Sequence, residues 1–340
     1  MVKTDPDQGW MRAALALARR GLGRTAPNPT VGCIIIKDEK VVGRGWTQPG
    51  GRPHAETMAL AQAGSEAGGA TAYVSLEPCA HHGQTPPCAQ ALIDAKVTRV
   101  VTALTDPDPR VSGRGLDMLK AAGIEVRSGV CADEARIVNS GFITRITKGR
   151  SFVTAKVATT LDGCVATSSG ESKWITGERA RAHGHMERAL HDAIIVGAET
   201  YRADQPSLDC RLPGMTDRSP QKFIVKGRKS LHAPEDFTII EGGDDWPQPS
   251  QILEQLAAKG FGRVLIEGGP TLISSFLKHD LVDRLLWYRA PMVFGADGKQ
   301  VIQAIGIEHI AAAPRFKLAA QAKLGQDSVE IFERKEKESA

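Results

Sequence analysis

His54-Ala55-Glu56, then Glu77-Pro78-Cys79, then Cys88: these three short stretches organise the 340-residue chain. Two thiolates and one imidazole suit zinc, a borderline-soft metal, and three protein ligands leave its fourth tetrahedral position open to water. A metal held in this way lowers the pKa of that water towards neutrality. Glu56, two residues past the histidine, can meet the water without ligating the metal and exchange a proton with it. A purely structural zinc normally takes a fourth protein ligand. His81 or His82 would have to supply it, and Glu56 would then have no task.

Zinc nucleobase deaminases use His-x-Glu followed by Pro-Cys-x-x-Cys. Here eight residues separate the two cysteines, so the bare motif does not match in full. Around it the chain alternates. Helical spacing over 10–20 is followed by a rigid Pro27-Asn28-Pro29-Thr30 loop and a strand–turn–strand pattern over 31–36 and 41–46. His54 opens a helix, which puts Glu56 in its first turn, where the helix end favours negative charge. Strands are expected at 72–76, 100–104 and 124–126, with helices at 88–95 and 115–122. This alternation predicts a largely parallel sheet covered by helices, with Asn28, His54, Cys79 and Asp106 gathered at one edge.

Residues 131–150 read as a connecting helix with a basic end (Arg145, Lys148, Arg150). A second alternating pattern follows, with strands at 152–157, 193–196, 223–225, 237–240, 264–266 and 285–289 and a helix at 176–189. Residues 202–222 and 241–250 read as loops. Glu267-Gly268-Gly269-Pro270-Thr271 joins a strand to a helix. Its glycines and free N–H groups suit a phosphate, although an ordinary turn with proline at the first helical position fits equally well. No G-x-G-x-x-G follows a strand, which disfavours a Rossmann fold. His183, His185 and His191 read as a solvated helix surface, and Cys33, Cys131, Cys164 and Cys210 as packing residues.

Composition bounds the rest. The length predicts two domains. Hydrophobic content of 41% and charged content of 24% describe a soluble globular chain, and the net charge of +4 forms no nucleic-acid footprint. No apolar run approaches a membrane span, and residues 1–6 lack a signal peptide's apolar stretch. Six cysteines without a disulfide pattern point to a reducing compartment, the cytoplasm. A homo-oligomer, most simply a dimer, is expected.

Residues 71–115, from Thr-Ala-Tyr-Val-Ser-Leu-Glu-Pro-Cys to Val-Ser-Gly-Arg-Gly, closely resemble the bifunctional riboflavin-biosynthesis deaminase/reductase family, in which the eight-residue gap is usual. The second half resembles the same family through Lys156, Leu161-Asp162-Gly163, Ser169-Gly170-Glu171-Ser172-Lys173-Trp174, Ala203-Asp204 and Glu267-Gly268-Gly269-Pro270-Thr271-Leu272. The resemblance implies an α/β chain with a cytidine-deaminase-like three-layer domain over 1–147 and a dihydrofolate-reductase-like α/β domain over 148–340. The first would deaminate 2,5-diamino-6-ribosylamino-4(3H)-pyrimidinone 5′-phosphate with zinc, and the second would reduce the ribosyl group with NADPH. By position, His54, Cys79 and Cys88 hold zinc and Glu56 shuttles protons, while Asn28, His81 and Asp106 contact the substrate. In the second domain Ser172, Arg188, Leu208, Arg211 and Glu267 match substrate positions. Ala158, Trp174, Thr200, Asp204, Gly227, Gly269, Pro270, Thr271 and Leu272 match cofactor positions, and Lys156 lies nearest the ribose being reduced.

Three positions depart from the family. Thr47 stands where histidine is frequent, Gln84 replaces a Lys or Arg, and Lys226-Gly227 replaces Asp-Ser in a region facing the cofactor. A serine hydroxyl at 227 would bond the 2′-phosphate. Its loss leads us to expect that Lys226, Arg228 and Lys229 bind that phosphate instead.

Overall fold

The structure is a computed structural model that describes residues 5–81, 86–109, 111–227, 229–242 and 246–335. The chain divides into two compact units, Met1–Gly149 and Arg150–Ala340.

In the first unit, helix α1 (Pro6–Ala18) is capped by Asp5, whose carboxylate accepts the Asp7 amide at 3.1 Å, and it buries Met11, Ala14, Leu15 and Ala18. Strands β1 (Gly32–Lys37) and β2 (Lys40–Trp46) pair antiparallel, with Lys37 opposite Lys40. Their two-residue turn, Asp38-Glu39, has positive φ at both positions, the geometry that matches hairpin twist. Helix α2 (Ala55–Ala63) lies directly on β2. A Cβ on Gly45 would come 2.3 Å from the Ala55 carbonyl, and one on Gly43 would come 2.2 Å from that of Ala59. The two glycines are thus what lets the helix carrying Glu56 sit so close.

The unit continues through β3 (Thr71–Val74), α3 (Cys88–Asp94), β4 (Arg99–Thr102), α4 (Arg114–Ala121), β5 (Glu125–Arg127), α5 (Ala132–Val138) and α6 (Ser140–Lys148). The sheet order is β2-β1-β3-β4-β5. It is mixed, not largely parallel: β1 runs antiparallel to both neighbours, and only β3–β4 and β4–β5 are parallel. The tight hairpin reverses β2, and α2 then carries the chain across β1 so that β3 runs in the same direction as β2. The helix expected over 131–150 is two helices. They meet at Asn139, whose buried carbonyl Oδ1 accepts the Thr30 amide at 3.0 Å.

The second unit contains β6 (Phe152–Thr159), β7 (Cys164–Ala166), α7 (Glu178–Ala189), β8 (Ala193–Gly197), α8 (Ala198–Asp204), β9 (Gln221–Lys226), β10 (Phe237–Glu241), α9 (Pro249–Ala258), β11 (Arg263–Ile266), α10 (Pro270–Lys278), β12 (Arg284–Arg289), β13 (Lys299–Gln300), β14 (Phe316–Leu324) and β15 (Asp327–Arg334). Eight strands form one sheet in the order β10-β9-β8-β11-β6-β12-β15-β14. It is parallel from β10 to β12 and antiparallel beyond. The C-terminal ends of β8, β11 and β6 therefore lie side by side, the place where open parallel sheets bind ligands. Helices α8 and α9 occupy parts of the segments expected to be loops, and the β14–β15 hairpin was not expected. Among the described residues no helix is long and apolar enough to cross a membrane.

Candidate active sites

In the first unit, His54 is the N-cap of α2 and Glu56 sits buried in its first turn. Cys79 follows β3 in a loop, and Cys88 is the first residue of α3. His54 Nδ1 lies 3.3 Å from Cys88 Sγ and 3.7 Å from Cys79 Sγ, and all three donor atoms fall within 4.8 Å of one another. Tetrahedral zinc with its usual bond lengths spaces sulfur and nitrogen ligands by about 3.6 Å. The donor set and its spacing therefore fit a zinc ion with one open position. Among the described residues no other group of His, Cys, Asp or Glu meets this criterion; His81 stays outside it, and His82 lies outside the described residues.

The electrostatics suit the same role. A hydrogen bond from Cys88, aided by His54 and by the Cys88 amide 3.3 Å away, draws the Cys79 thiol down to about 4. Its own hydrogen bond with Cys79 raises the proton affinity of His54, and the Cys79 hydrogen bond, joined by burial, raises that of Cys88. Burial, then the Cys79 thiolate, lifts Glu56 to about 7, where a carboxyl both takes and gives a proton near neutrality.

Glu77 supports the site from behind. Its buried carboxylate accepts the amides of Asp106 at 3.1 Å and of Gly113 and Gly115 at 2.9 Å, tying the Cys79 loop to the loop after β4. Asp106 is raised to about 6, by burial first and then by the charges of Asp108, Glu77 and Cys79, against the hydrogen bond from the Asp108 amide. Asn28, Thr47, His54, Glu56, Cys79, His81 and Asp106 all line one cleft of about 290 Å³, and Cys88 lies buried outside its lining. Thr47, the first departure, accepts the Val31 amide at 2.9 Å, so its hydroxyl serves the backbone. Gln84 lies outside the described residues.

In the second unit, Lys156, Ala158, Ser172, Trp174, Arg188, Thr200, Asp204, Leu208, Arg211 and Glu267 line one cavity of about 480 Å³. Arg188 grips Glu267 with two hydrogen bonds, 2.7 and 2.9 Å, and Lys156 Nζ lies 3.6 Å from Glu267 Oε2. Burial would raise Glu267, but the charges of Lys156 and Arg188 outweigh it and hold the carboxyl at about 2. Gly269 caps α10, with Pro270 in the first turn. A Cβ on Gly269 would reach 2.5 Å from Thr200 Oγ1, so the turn after β11 packs against the start of α8 and a larger residue at 269 would have to move the Thr200 side chain. The start of α10, which no side chain caps, offers backbone N–H groups of the kind that hold the phosphates of a dinucleotide.

Gly269, Pro270, Thr271, Leu272 and Gly227 do not line the cavity itself. The Leu272 side chain is buried in the core, so that position offers a ligand only its backbone. Gly227 follows β9, and a Cβ there would meet the Trp246 ring at 3.1 Å. Lys226 pairs with Glu241 at 2.9 Å and Lys229 with Glu199 at 3.8 Å, while Arg228 lies outside the described residues.

The helix histidines are not a solvated surface. His191 is fully buried, with Nε2 2.8 Å from Thr154 Oγ1; His183 meets the Tyr288 hydroxyl at 2.6 Å; and His185 lines the cavity. Tyr288, at the end of β12, lines it too. Neither residue carries a spacing signal. Only the packing of α7 over β6 and β12 brings them to Lys156, whose Nζ lies 5.6 Å from the Tyr288 ring centre.

Residues 4–104 match the family model described as the cytidine and deoxycytidylate deaminase zinc-binding region, and residues 151–329 match the RibD C-terminal domain. Riboflavin biosynthesis protein RibD of Aquifex aeolicus is 39% identical, over 96% of this chain and 98% of its own length. The chain belongs to the RibD family. RibD of Escherichia coli is 38% identical over 94% of this chain and 97% of its own. The structure of Acinetobacter baumannii RibD superposes with a TM-score of 0.89 at 41% identity, covering 97% of this chain and 99% of that one. A Thermotoga maritima structure described as a diaminohydroxyphosphoribosylaminopyrimidine deaminase/5-amino-6-(5-phosphoribosylamino)uracil reductase gives 0.87 at 34% identity, covering 96% and 98%. As a RibD protein the chain is a bifunctional enzyme of riboflavin biosynthesis. It joins a cytidine-deaminase-like zinc domain to a dihydrofolate-reductase-like reductase domain that uses NADPH.

Proposed function

We propose that the chain catalyses two consecutive reactions. The deaminase domain, residues 1–147, hydrolyses the amino group of 2,5-diamino-6-ribosylamino-4(3H)-pyrimidinone 5′-phosphate. The reductase domain, residues 148–340, then reduces the ribosyl group to give 5-amino-6-ribitylamino-uracil 5′-phosphate. The observation that carries this reading is the His54, Cys79, Cys88 triangle with the buried Glu56 beside it.

His54 Nδ1, Cys79 Sγ and Cys88 Sγ would hold zinc, which activates a water for attack when bound. Glu56 does the proton work, accepting one at its carboxylate and delivering it to the departing amine. A value of about 7 makes both transfers accessible at neutral pH. Asn28, His81 and Asp106 hold the pyrimidine and its ribose from the cleft walls. Trp174, Ala158, Thr200, Asp204 and the Gly269–Leu272 turn hold NADPH, which supplies a hydride when bound. Ser172, Arg188, Leu208, Arg211 and Glu267 hold the ribotide, with Lys156 nearest the carbon that is reduced. Lys226, Arg228 and Lys229 supply the charge that selects the 2′-phosphate. We place the enzyme in the cytoplasm, as six unpaired cysteines favour, and expect a homo-oligomer, most simply a dimer.

The test separates ligands from shuttle. Cys79→Ser, Cys88→Ser and His54→Ala should lose zinc and deamination together, whereas Glu56→Gln should keep zinc and lose deamination. Deamination at the wild-type rate by Glu56→Gln would refute the mechanism.

A further inference from the structure

We infer that Arg145 binds the 5′-phosphate of the deaminase substrate. The inference rests on the deaminase reading above. The cleft is rich in acid: Glu56, Glu77, Asp106 and Asp108 all line it. A phosphate dianion entering it needs a cation, and the positions where a cation or imidazole is expected are altered. Thr47 spends its hydroxyl on Val31, and residue 84 is glutamine. Among the described lining residues, the remaining positive side chains besides the histidines are Arg52 and Arg145.

Arg52 lies two residues before His54, which ties it to the metal end of the cleft. Arg145 comes from a different element, the last turn of α6, and enters the cleft with Phe142 and Ile146 of the same helix. Its guanidinium lies over the Phe142 ring at 5.9 Å, and its Nη2 donates to the Pro27 carbonyl at 2.7 Å. It is therefore held against the loop that carries Asn28. A planar fork of N–H donors fixed in this way matches phosphate oxygens, and the contact is charge-assisted. Helix α6 falls outside the 4–104 span of the zinc-region match, so that match assigns Arg145 no role.

The test compares the diaminopyrimidine ribotide with its dephosphorylated riboside, using zinc-loaded full-length protein. Arg145→Ala should raise KM for the ribotide on the order of tenfold or more, with kcat and zinc content retained. Its efficiency on the riboside should stay at the wild-type level, and Arg145→Lys should recover part of the ribotide KM. Equal losses on both substrates would overturn the inference, because Arg145 would then only prop the Pro27 loop. An unchanged ribotide KM, or a selective loss in Arg52→Ala instead, would overturn it as well. Wild-type enzyme that keeps its zinc yet leaves the ribotide intact would overturn the deaminase reading itself and this inference with it.

Discussion

Lys226 is tied to Glu241 across β9 and β10, and Gly227 is covered by the Trp246 ring. A serine Cβ at 227 would come 3.1 Å from that ring, which would have to give by a few tenths of an ångström. If the basic stretch replaces a hydroxyl in reading the 2′-phosphate, removing the cation that matters costs a charge-assisted contact, roughly 1.5–3 kcal/mol. Lys226→Ala, Arg228→Ala or Lys229→Ala should then lower the NADPH-to-NADH ratio of catalytic efficiencies by about tenfold or more, with NADH little affected. A ratio unchanged in all three would show that none of these cations reads the 2′-phosphate. Residue identity alone made the metal trio and Glu56 legible, because donor chemistry and spacing are written directly in the chain. His185 and Tyr288 were not legible, since they reach the reductase cavity through the packing of α7 and β12.

At the level of elements, one carboxylate fastens α1 to β3, β4 and β5. Asp7 accepts two hydrogen bonds from Arg99, at 2.9 and 2.8 Å, one from the Tyr73 hydroxyl at 2.7 Å, and another from Arg127. The Arg99 contact is the largest influence holding Asp7 well below the usual carboxylate range. Because the folded value lies below the unfolded one of about 3.9, the stabilisation is present above about pH 4 and fades as acid protonates the folded group. Asp7→Asn should therefore lower the denaturation midpoint of the deaminase domain at pH 7, and the gap to wild type should narrow on acidification. A gap that is constant with pH would show that the ion pairs contribute nothing. Most strands and helices followed from periodicity, but β14 did not. Its residues Lys317 to Lys323 are exposed, so no alternation marks them, and pairing with β15 alone defines the strand. The mixed order of the first sheet was also hidden, because alternation of elements does not say which side of β1 the chain returns to. Gly43 and Gly45 do carry a signal in the sequence: two glycines at i and i+2 in a strand mark close backbone approach, here by α2.

On the scale of the whole molecule, each unit has its own core and its own cavity. Among the described residues no side chain lines both the zinc cleft and the reductase cavity, so the two chemistries should separate by mutation. On the proposed function, the zinc cleft deaminates the ribotide through Glu56 before the second domain reduces it. The most direct measurement is mass spectrometry of the diaminopyrimidine ribotide after incubation with wild-type and Glu56→Gln protein, with and without NADPH. Wild type alone should exchange one amino group for oxygen, and adding NADPH should give the doubly converted ribityl product. Glu56→Gln should leave the ribotide aminated, yet reduce ribotide that has been deaminated beforehand at close to the wild-type rate. Deamination by Glu56→Gln, or loss of that reduction in the folded variant, would contradict the account.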